Sequence, residues 1–213
     1  VGFLSRDDYR RGQAYIMRRY RPDDMWGLLE VRPHAMIQNY YDLDGFLETS
    51  FQHFDVHWEF KNGFRVDTGV NYRKDGFLNP FEIIDDVFVA PGTYSGPEAQ
   101  IVFNTDLSAP LSLSMRTTVG ERFGGDRVVL QPTLRYRIGE TFSSELSVIN
   151  NDVDLPVAGG DFSVTLTRLR LSYSFTPKML LQALVQYNDG SHVLSSNVRL
   201  LLLITARSGL HVV

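Results

Sequence analysis

The sequence predicts an all-β fold class, an antiparallel up-and-down transmembrane β-barrel, and three observations support this prediction. Apolar and polar residues alternate with period two in many segments of about ten residues, the length of a tilted transmembrane strand. Brief turns and longer connections alternate between these segments, and aromatic residues gather near the segment ends, as they do in membrane barrels. We expect residues 1–213 to form a single domain, a section of a larger barrel that is incomplete at both ends.

The clearest strand covers residues 64–73, where apolar and polar side chains alternate without a break. Successive side chains of a strand point to opposite faces, so one face of this strand is apolar and the other is polar or charged. The same pattern recurs at 111–120, 127–138, 168–175 and 197–205, and weaker strands are expected near 27–41, 46–60, 94–105, 142–150 and 179–188. No segment shows the periodicity of a helix.

In a membrane barrel the apolar row of each strand faces lipid and the polar row faces the lumen. The residues predicted to face lipid are Phe64, Val66, Val70, Tyr72, Leu111, Leu113, Leu134, Leu171, Leu200 and Leu202. The residues predicted to face the lumen are Arg65, Asp67, Arg73, Arg116, Arg135, Arg137, Glu145, Arg170 and Arg199.

The connections between the predicted strands fall into two groups. Brief turns are predicted at 61–63, 106–110, 139–140, 176–178 and 207–209, and longer connections at 74–93, 121–126, 151–161 and 189–192. The aromatic residues near brief turns are Phe60, Phe64, Phe142 and Phe175. Since membrane barrels carry short turns on one rim and longer loops on the other, we expect each group of connections to share one rim.

The composition excludes several other classes of protein. The formal net charge is −4 and the pI about 5.7, so the chain has no basic footprint for nucleic acid. Cysteine is absent, which removes disulfides, thiol catalysis and thiolate metal ligands. The most apolar run, 200–204, is too short for a membrane-spanning helix, so a membrane role must come from strands.

A soluble β-sandwich, or a soluble barrel binding module of the cell envelope, is the alternative prediction. Such a fold also alternates, but its apolar face points inward. The regular placement of arginines and acids along the polar rows favours a wet lumen, although the solvated exterior of a sandwich accommodates charges equally well.

Several segments resemble a bacterial envelope family of unknown function. Val1–Arg10 (VGFLSRDDYR) is similar to its "VGFVPRRDYR" segment, and Leu169–Pro177 (LRLSYSFTP) to its "RLSYSFTP" strand and turn. Leu181–Asn188 followed by Ser195–Arg199 resembles its "QYN…SNVR" hairpin, and Asn79–Phe81 with Pro91–Tyr94 resembles the loop before a barrel strand. Members of the family join an N-terminal domain like a family-nine carbohydrate-binding module to a C-terminal outer-membrane barrel.

The resemblance covers most of the chain and implies a location in the bacterial outer membrane. It implies a barrel that acts as a membrane anchor or as a transport or pore component, linked to glycan binding through the module. The expected partners are the lipid bilayer, a glycan or small solute, and other envelope proteins, with no nucleic acid. The binding module and the family's usual final strand are both absent from residues 1–213, so we expect an internal section of the barrel.

The chain carries one cluster of metal-ligating residue types, His53, Asp55, His57 and Glu59, which share one face of a predicted strand. Same-face neighbours lie roughly 7 Å apart, so Asp55 could share a metal with either His53 or His57. The two histidines lie about 13 Å apart along the strand and could not bind one ion together. A row of lumen-facing polar residues gives the same pattern without a metal, and we favour that interpretation over a metal site at His53, Asp55 and His57.

No other pattern indicates chemistry. Asp42–Gly45 predicts a hairpin turn, and neither this segment nor Asp85-Asp86 has the spacing of a calcium-binding EF-hand loop. The motifs of nucleophile-elbow hydrolases, phosphate-binding loops and zinc proteases are absent from the sequence. We therefore expect neither enzymatic activity nor a cofactor.

The arginines of the polar rows admit two interpretations. They could form charged rings that make a pore selective for anions. They could equally pair with acids of the same rows, such as Asp67 and Glu145, and fill a closed lumen. We favour pairing because acids are available on the same face.

Overall fold

The structure is a computed structural model that describes residues 8–23, 25–205 and 208–212. These residues form strands β1 to β14 and no helix. The strands are β1 (Tyr9–Met17), β2 (Leu28–Asp42), β3 (Leu47–Phe60), β4 (Arg65–Phe77), β5 (Phe81–Ile84), β6 (Val87–Val89), β7 (Gly92–Asn104), β8 (Leu111–Arg122), β9 (Gly125–Ile138), β10 (Phe142–Asp154), β11 (Asp161–Thr176), β12 (Met179–Asn188), β13 (Val193–Thr205) and β14 (Ser208–Val212). Accordingly, the described part of the chain holds no helix that is long and apolar enough to span a membrane.

Twelve of these strands form one antiparallel sheet in which each strand pairs with its neighbours along the chain. Strands β5 and β6 form a separate two-stranded hairpin between β4 and β7, which pair directly with each other. This arrangement confirms the all-β, up-and-down antiparallel architecture. Within the described residues β1 pairs only with β2 and β14 only with β13, so these strands do not close the sheet into a barrel.

The register of the sheet separates the two predicted rows onto opposite faces. Paired residues of adjacent strands share a face, and the pairs Asp67↔Val102, Val102↔Arg116 and Arg116↔Gln131 continue one row across four strands. This face, which we call the polar face, carries all the residues that the sequence predicted to face the lumen. The opposite, apolar face carries the residues predicted to face lipid, for example through the pair Leu113↔Leu134.

Burial on the two faces is the inverse of that in a soluble protein. The buried polar and charged residues are Glu30, Thr49, Asp55, Asp67, Asn71, Asp75, Glu98, Ser112, Thr118, Thr133 and Ser147. On the apolar face, by contrast, Val70 is 57% exposed and Leu111 is 59% exposed. Because no second layer covers the polar face among the described residues, its side chains are buried by one another as the sheet curves around them.

The two groups of connections lie at opposite rims, as the sequence predicted. The β5–β6 hairpin packs on the link between β10 and β11 in an apolar cluster that includes Val89, Val153 and Leu155. At the other rim, a Cβ on Gly63 would lie 2.8 Å from Asp106, so the β3–β4 and β7–β8 turns are in contact. The rims are therefore built from different connections, with the packed apolar hairpin on one side only.

Several connections are shorter than the sequence indicated because the strands extend further. Strand β4 continues to Phe77, and the predicted link 121–126 is a tight turn at 123–124 between β8 and β9. Strands β1, β5, β6 and β14 were not predicted. The turn predicted at 207–209 is wrong in part, because Ser208 begins β14, while Arg207 lies outside the described residues.

Close strand contact at Gly120 leads to a first testable prediction. A Cβ at this position would lie 2.3 Å from the Pro97 carbonyl oxygen and 2.5 Å from the Glu98 Cα, both backbone atoms of β7. We expect Gly120→Ala to force β7 and β8 apart and to lower the free energy of unfolding by about 1–3 kcal/mol. Gly12→Ala in β1 is the matched control, since a Cβ there meets no atom within 4 Å. Equal stability of the two variants in a denaturant titration would contradict this account of Gly120.

Candidate functional site

Three of the five histidines in the sequence meet on the polar face, on strands β2 and β3. His34 lies on β2 directly opposite Asp55 of β3, and His53 and His57 flank Asp55 along the same strand. On the other side, β4 places Asn71 opposite His53. We call the set His34, His53, Asp55, His57 and Asn71 the histidine cluster. It is assembled from three neighbouring strands and contains His53, Asp55 and His57 of the sequence-predicted candidates, but not Glu59.

An irregularity in the β2–β3 ladder places His34 in this cluster. Near the hairpin turn Tyr41 pairs with Leu47, but the next pair is Tyr40↔Thr49, so the register shifts by one residue. The unshifted register would place His34 opposite Phe54, a residue of the apolar face. Because a shift of one residue exchanges the two faces of a strand, the bulge brings the His34 ring to the face that carries Asp55.

A chain of hydrogen bonds fixes the neutral tautomers of two histidines. Nδ1 of His53 lies 2.6 Å from Oδ1 of Asn71, an acceptor, so His53 donates from Nδ1 and carries its lone pair on Nε2. Nε2 of His34 lies 3.1 Å from Nε2 of His53 and must therefore be the donor of that bond. The lone pair of His34 is then on Nδ1, an atom that is buried and has no hydrogen-bond partner.

Asp55 is the one acid of the histidine cluster, and 1% of its surface is exposed. Its Oδ1 is buried without a hydrogen-bond partner and lies 3.6 Å from Nε2 of His57. Its Oδ2 lies 3.8 Å from Nε2 of His53. The opposing residue on β4 is Gly69, where a Cβ would lie 2.8 Å from Oδ2, so the glycine leaves the space that the carboxylate occupies.

An arginine–aspartate pair borders the cluster on its other side. Arg65 donates to both carboxylate oxygens of Asp67, at 2.7 and 2.8 Å, in a bidentate pair. Nη2 of Arg65 also approaches Nδ1 of His57 at 3.4 Å. The positive charge of Arg65 is thus directed at Asp67, and the nitrogen-bearing side chains within 4.0 Å of the Asp55 carboxylate among the described residues are the imidazoles of His53 and His57.

The sequence identified the acid and two histidines of this cluster and missed the third histidine. His34, Asp55 and His57 each offer one ligand atom, and these three atoms lie within 4.8 Å of one another. His53 instead supports His34 through its hydrogen bond. The alternation of β2 places His34 in the same polar row as Glu30 and Arg32, but its position opposite Asp55 depends on the bulge in the β2–β3 pairing.

A second polar cluster lies towards the rim that carries the β5–β6 hairpin. Glu98, which is 3% exposed, pairs with Arg127 at 2.5 Å and with Arg73 at 3.9 Å. Asp75 pairs with Arg122 at 2.6 Å. We call these residues the charged belt. The Arg73–Glu98 pair joins the adjacent strands β4 and β7, whereas Glu98–Arg127 joins β7 to β9 and Asp75–Arg122 joins β4 to β8 across an intervening strand. The belt therefore links strands of the polar face that are not neighbours in the sheet.

The remaining arginines predicted to face the lumen have several kinds of partner. Arg135 pairs with Glu145 at 2.8 Å, and Arg137 donates to the backbone carbonyl of Ser108 at 2.5 Å. Arg116 donates to the side-chain oxygen of Gln100, and Arg199 to that of Asn197. Arg170 is exposed and makes no hydrogen bond or ion pair with the part of the chain that the structure describes. Arg135, like Arg65 and Arg73, is thus paired with an acid of the same face, whereas Arg116, Arg137 and Arg199 bond to uncharged oxygens, so the expected pairing with acids describes only part of the set.

Comparison with known proteins does not assign the chain to a family. No family model matches the chain, and no curated protein matches it either. The resemblance to a bacterial envelope family stays a prediction that rests on the quoted segments.

Proposed function

We propose that this chain is a section of an outer-membrane β-barrel that anchors a protein in the bilayer, with the apolar face against lipid. One observation carries the proposal: the buried polar and charged side chains lie on the polar face, while the apolar face exposes large apolar side chains such as Val70 and Leu111. In water, a contiguous exposed apolar surface of this kind is a site of association or aggregation. In a bilayer, the same face is solvated by acyl chains and the polar face lines the interior.

The distribution of aromatic residues supports a membrane boundary at the rim of brief turns. Tyr173 and Phe175 contact each other on the apolar face near the β11–β12 turn, with ring centroids 4.7 Å apart. Phe64 makes an edge contact with Phe103 near the β3–β4 turn, with centroids 5.7 Å apart. Aromatic rings at the ends of strands are the pattern of the interfacial girdles in membrane barrels.

The proposed barrel requires strands beyond the twelve of the sheet. Backbone groups at an open sheet edge have no partner in hydrocarbon, so an edge exposed to lipid costs several kcal/mol for each unpaired group. Strands β1 and β14 therefore need further strands to close the barrel. The resemblance to the envelope family offers a source for them, in a longer chain that also carries a glycan-binding module.

We favour an anchor with a filled interior over an open anion pore. Arg65, Arg127 and Arg135 are each held by a carboxylate of the same face, so few of the arginines are available to attract passing anions. The proposal includes no catalytic step. The soluble binding module remains the second candidate, and it requires the apolar face to be covered by protein.

Tryptophan fluorescence in lipid vesicles tests the proposal, because the sequence has two tryptophans at useful depths. Trp26 is 82% exposed in the link between β1 and β2, and Trp58 lies on the apolar face two residues from the end of β3. Phe54, on the same face at mid-strand, provides a third position through Phe54→Trp in a variant without the native tryptophans.

We expect lipids brominated at mid-chain to quench Phe54→Trp most, Trp58 less and Trp26 least, since quenching follows the distance from the bilayer centre. Variants with a single tryptophan at each position provide the three measurements. Equal and weak quenching at all three positions would contradict lipid contact and would favour the soluble alternative.

A further inference from the structure

We propose that His34, Asp55 and His57 bind a divalent transition-metal ion of the Zn²⁺ type on the polar face. The three ligand atoms lie within 4.8 Å of one another. Ligand atoms bound to one tetrahedral zinc ion are roughly 3.3–3.5 Å apart, as follows from metal–ligand bonds of about 2.0–2.2 Å. The Asp55–His57 distance of 3.6 Å is already close to this value, so small side-chain rotations complete the set.

His34 has the hydrogen bonding of a metal ligand before any ion is added. A metal-bound histidine usually donates its second ring N–H to a fixed acceptor, which sets the tautomer and the ring orientation. Here Nε2 of His34 donates to His53, and His53 in turn donates to Asn71. The buried Nδ1 of His34 therefore presents a lone pair to which no protein group donates a hydrogen bond.

Asp55 provides the second, independent indication. An ionised carboxylate that is almost fully buried is costly unless a cation or several donors compensate it. Asp55 Oδ1 has no hydrogen-bond partner, and the nearby Arg65 is held by Asp67. A divalent cation between Oδ1 and the two histidine nitrogens would satisfy the carboxylate and the lone pair of His34 together.

Metal binding requires one rearrangement at His57. Its Nε2 must carry the lone pair that faces Asp55, which moves the ring proton to Nδ1, the atom 3.4 Å from Nη2 of Arg65. Arg65 can give up this longest contact and keep its bidentate pair with Asp67. The rearrangement moves one ring proton of His57 from Nε2 to Nδ1 and breaks none of the shorter hydrogen bonds of the cluster.

The ligand types select the class of ion. Two imidazoles and one carboxylate match zinc and neighbouring first-row divalent metals, whereas calcium and magnesium prefer oxygen ligands alone. Three protein ligands leave a fourth position for water or a bound molecule. The metal proposal does not depend on lipid contact. It can therefore fail while the proposed membrane function holds, and it can hold while the membrane function fails.

Zinc titration of the folded chain without a polyhistidine tag, in competition with a chelating dye, tests the site. We expect His34→Ala, Asp55→Asn and His57→Ala each to weaken Zn²⁺ binding by at least about 100-fold. His53→Ala removes the supporting hydrogen bond and should weaken binding by about 10–100-fold, while the visible spectrum of bound Co²⁺ keeps its shape. His192→Asn, in the β12–β13 turn away from the cluster, is the matched control and should bind as the unmodified protein does.

A loss of binding counts only in variants whose circular dichroism matches that of the unmodified protein. His34→Gln and His57→Gln keep a polar side chain and provide a second pair in case an alanine variant does not fold. The proposal is wrong if the unmodified protein binds Zn²⁺ no more tightly than about 1 mM. It is equally wrong if folded His34 and Asp55 variants retain the affinity of the His192 control.

Discussion

Replacing Val70 by arginine is expected to lower the free energy of unfolding from a lipid bilayer, and so to destabilise the protein, by about 2–4 kcal/mol. Val70 lies in the middle of β4 on the apolar face and is 57% exposed. A guanidinium at the centre of a bilayer must be desolvated or must distort the lipid around it, whereas on a solvated surface it costs almost nothing. Denaturant titration in lipid vesicles measures the difference.

Val157→Arg is the matched control for this substitution. Val157 lies in the link between β10 and β11, at the rim, and is 39% exposed. The same change of side chain at this depth should cost about 0–1 kcal/mol. Equal costs at the two valines would show that exposure alone, and not depth in a membrane, governs the effect, and the proposed function would then fail.

Removing the carboxylate of Glu98 is expected to cost about 3–5 kcal/mol of stability. Glu98→Leu leaves Arg127 and Arg73 on the polar face without their acid, and Nε of both arginines is already buried without a hydrogen-bond partner. Removing one partner of a buried ion pair lowers stability far more than replacing both partners by apolar residues, because the remaining buried charge is left uncompensated.

A double-mutant cycle separates this effect from the simple loss of a side chain. Glu98→Leu combined with Arg127→Met removes both charges and should recover much of the stability that Glu98→Leu alone loses. In a wide, water-filled pore, solvent would compensate the arginines, and Glu98→Leu would cost less than about 1 kcal/mol. That outcome would contradict a filled interior and would favour the anion pore.

The assignment of side chains to faces could be predicted because it depends on local geometry. Pleating alone places Arg65 and Asp67 on one side of β4, and Val66 and Val70 on the other. The same alternation at Leu134 and Arg135 fixes the faces of β9. The register then pairs polar rows with polar rows and apolar rows with apolar rows, because a mismatched register would place charges against apolar side chains.

The strands that the sequence missed lack this alternation or are very short. In β1, adjacent arginines at 10 and 11 point to opposite faces, so neither row is apolar throughout. Strands β5 and β6 are 4 and 3 residues long and owe their stability to packing on Val153 and Leu155. Such tertiary support leaves no periodic signal in the sequence.

The histidine cluster shows a different limit of sequence reasoning. His53, Asp55 and His57 are neighbours on one strand, and their common face follows from spacing. His34 joins them only because the bulge near Tyr40 shifts the β2–β3 register by one residue. A bulge is a local irregularity of pairing, and the turn at Asp42–Gly45 predicts the hairpin without predicting the shift.

Spin-label accessibility along β7 tests the central claim, that the apolar face contacts lipid, most directly. The chain has no cysteine, so single cysteines at 99–103 carry labels without background. Ala99, Ile101 and Phe103 lie on the apolar face, whereas Gln100 and Val102 lie on the polar face. Val102 is the decisive position, because it is apolar and yet belongs to the interior.

In lipid vesicles we expect labels at 99, 101 and 103 to collide mainly with oxygen dissolved in the bilayer. Labels at 100 and 102 should be protected from this contact, so accessibility should alternate with period two along the strand. A uniform profile, or oxygen contact at Val102 equal to that at Ile101, would contradict a lipid-facing apolar surface.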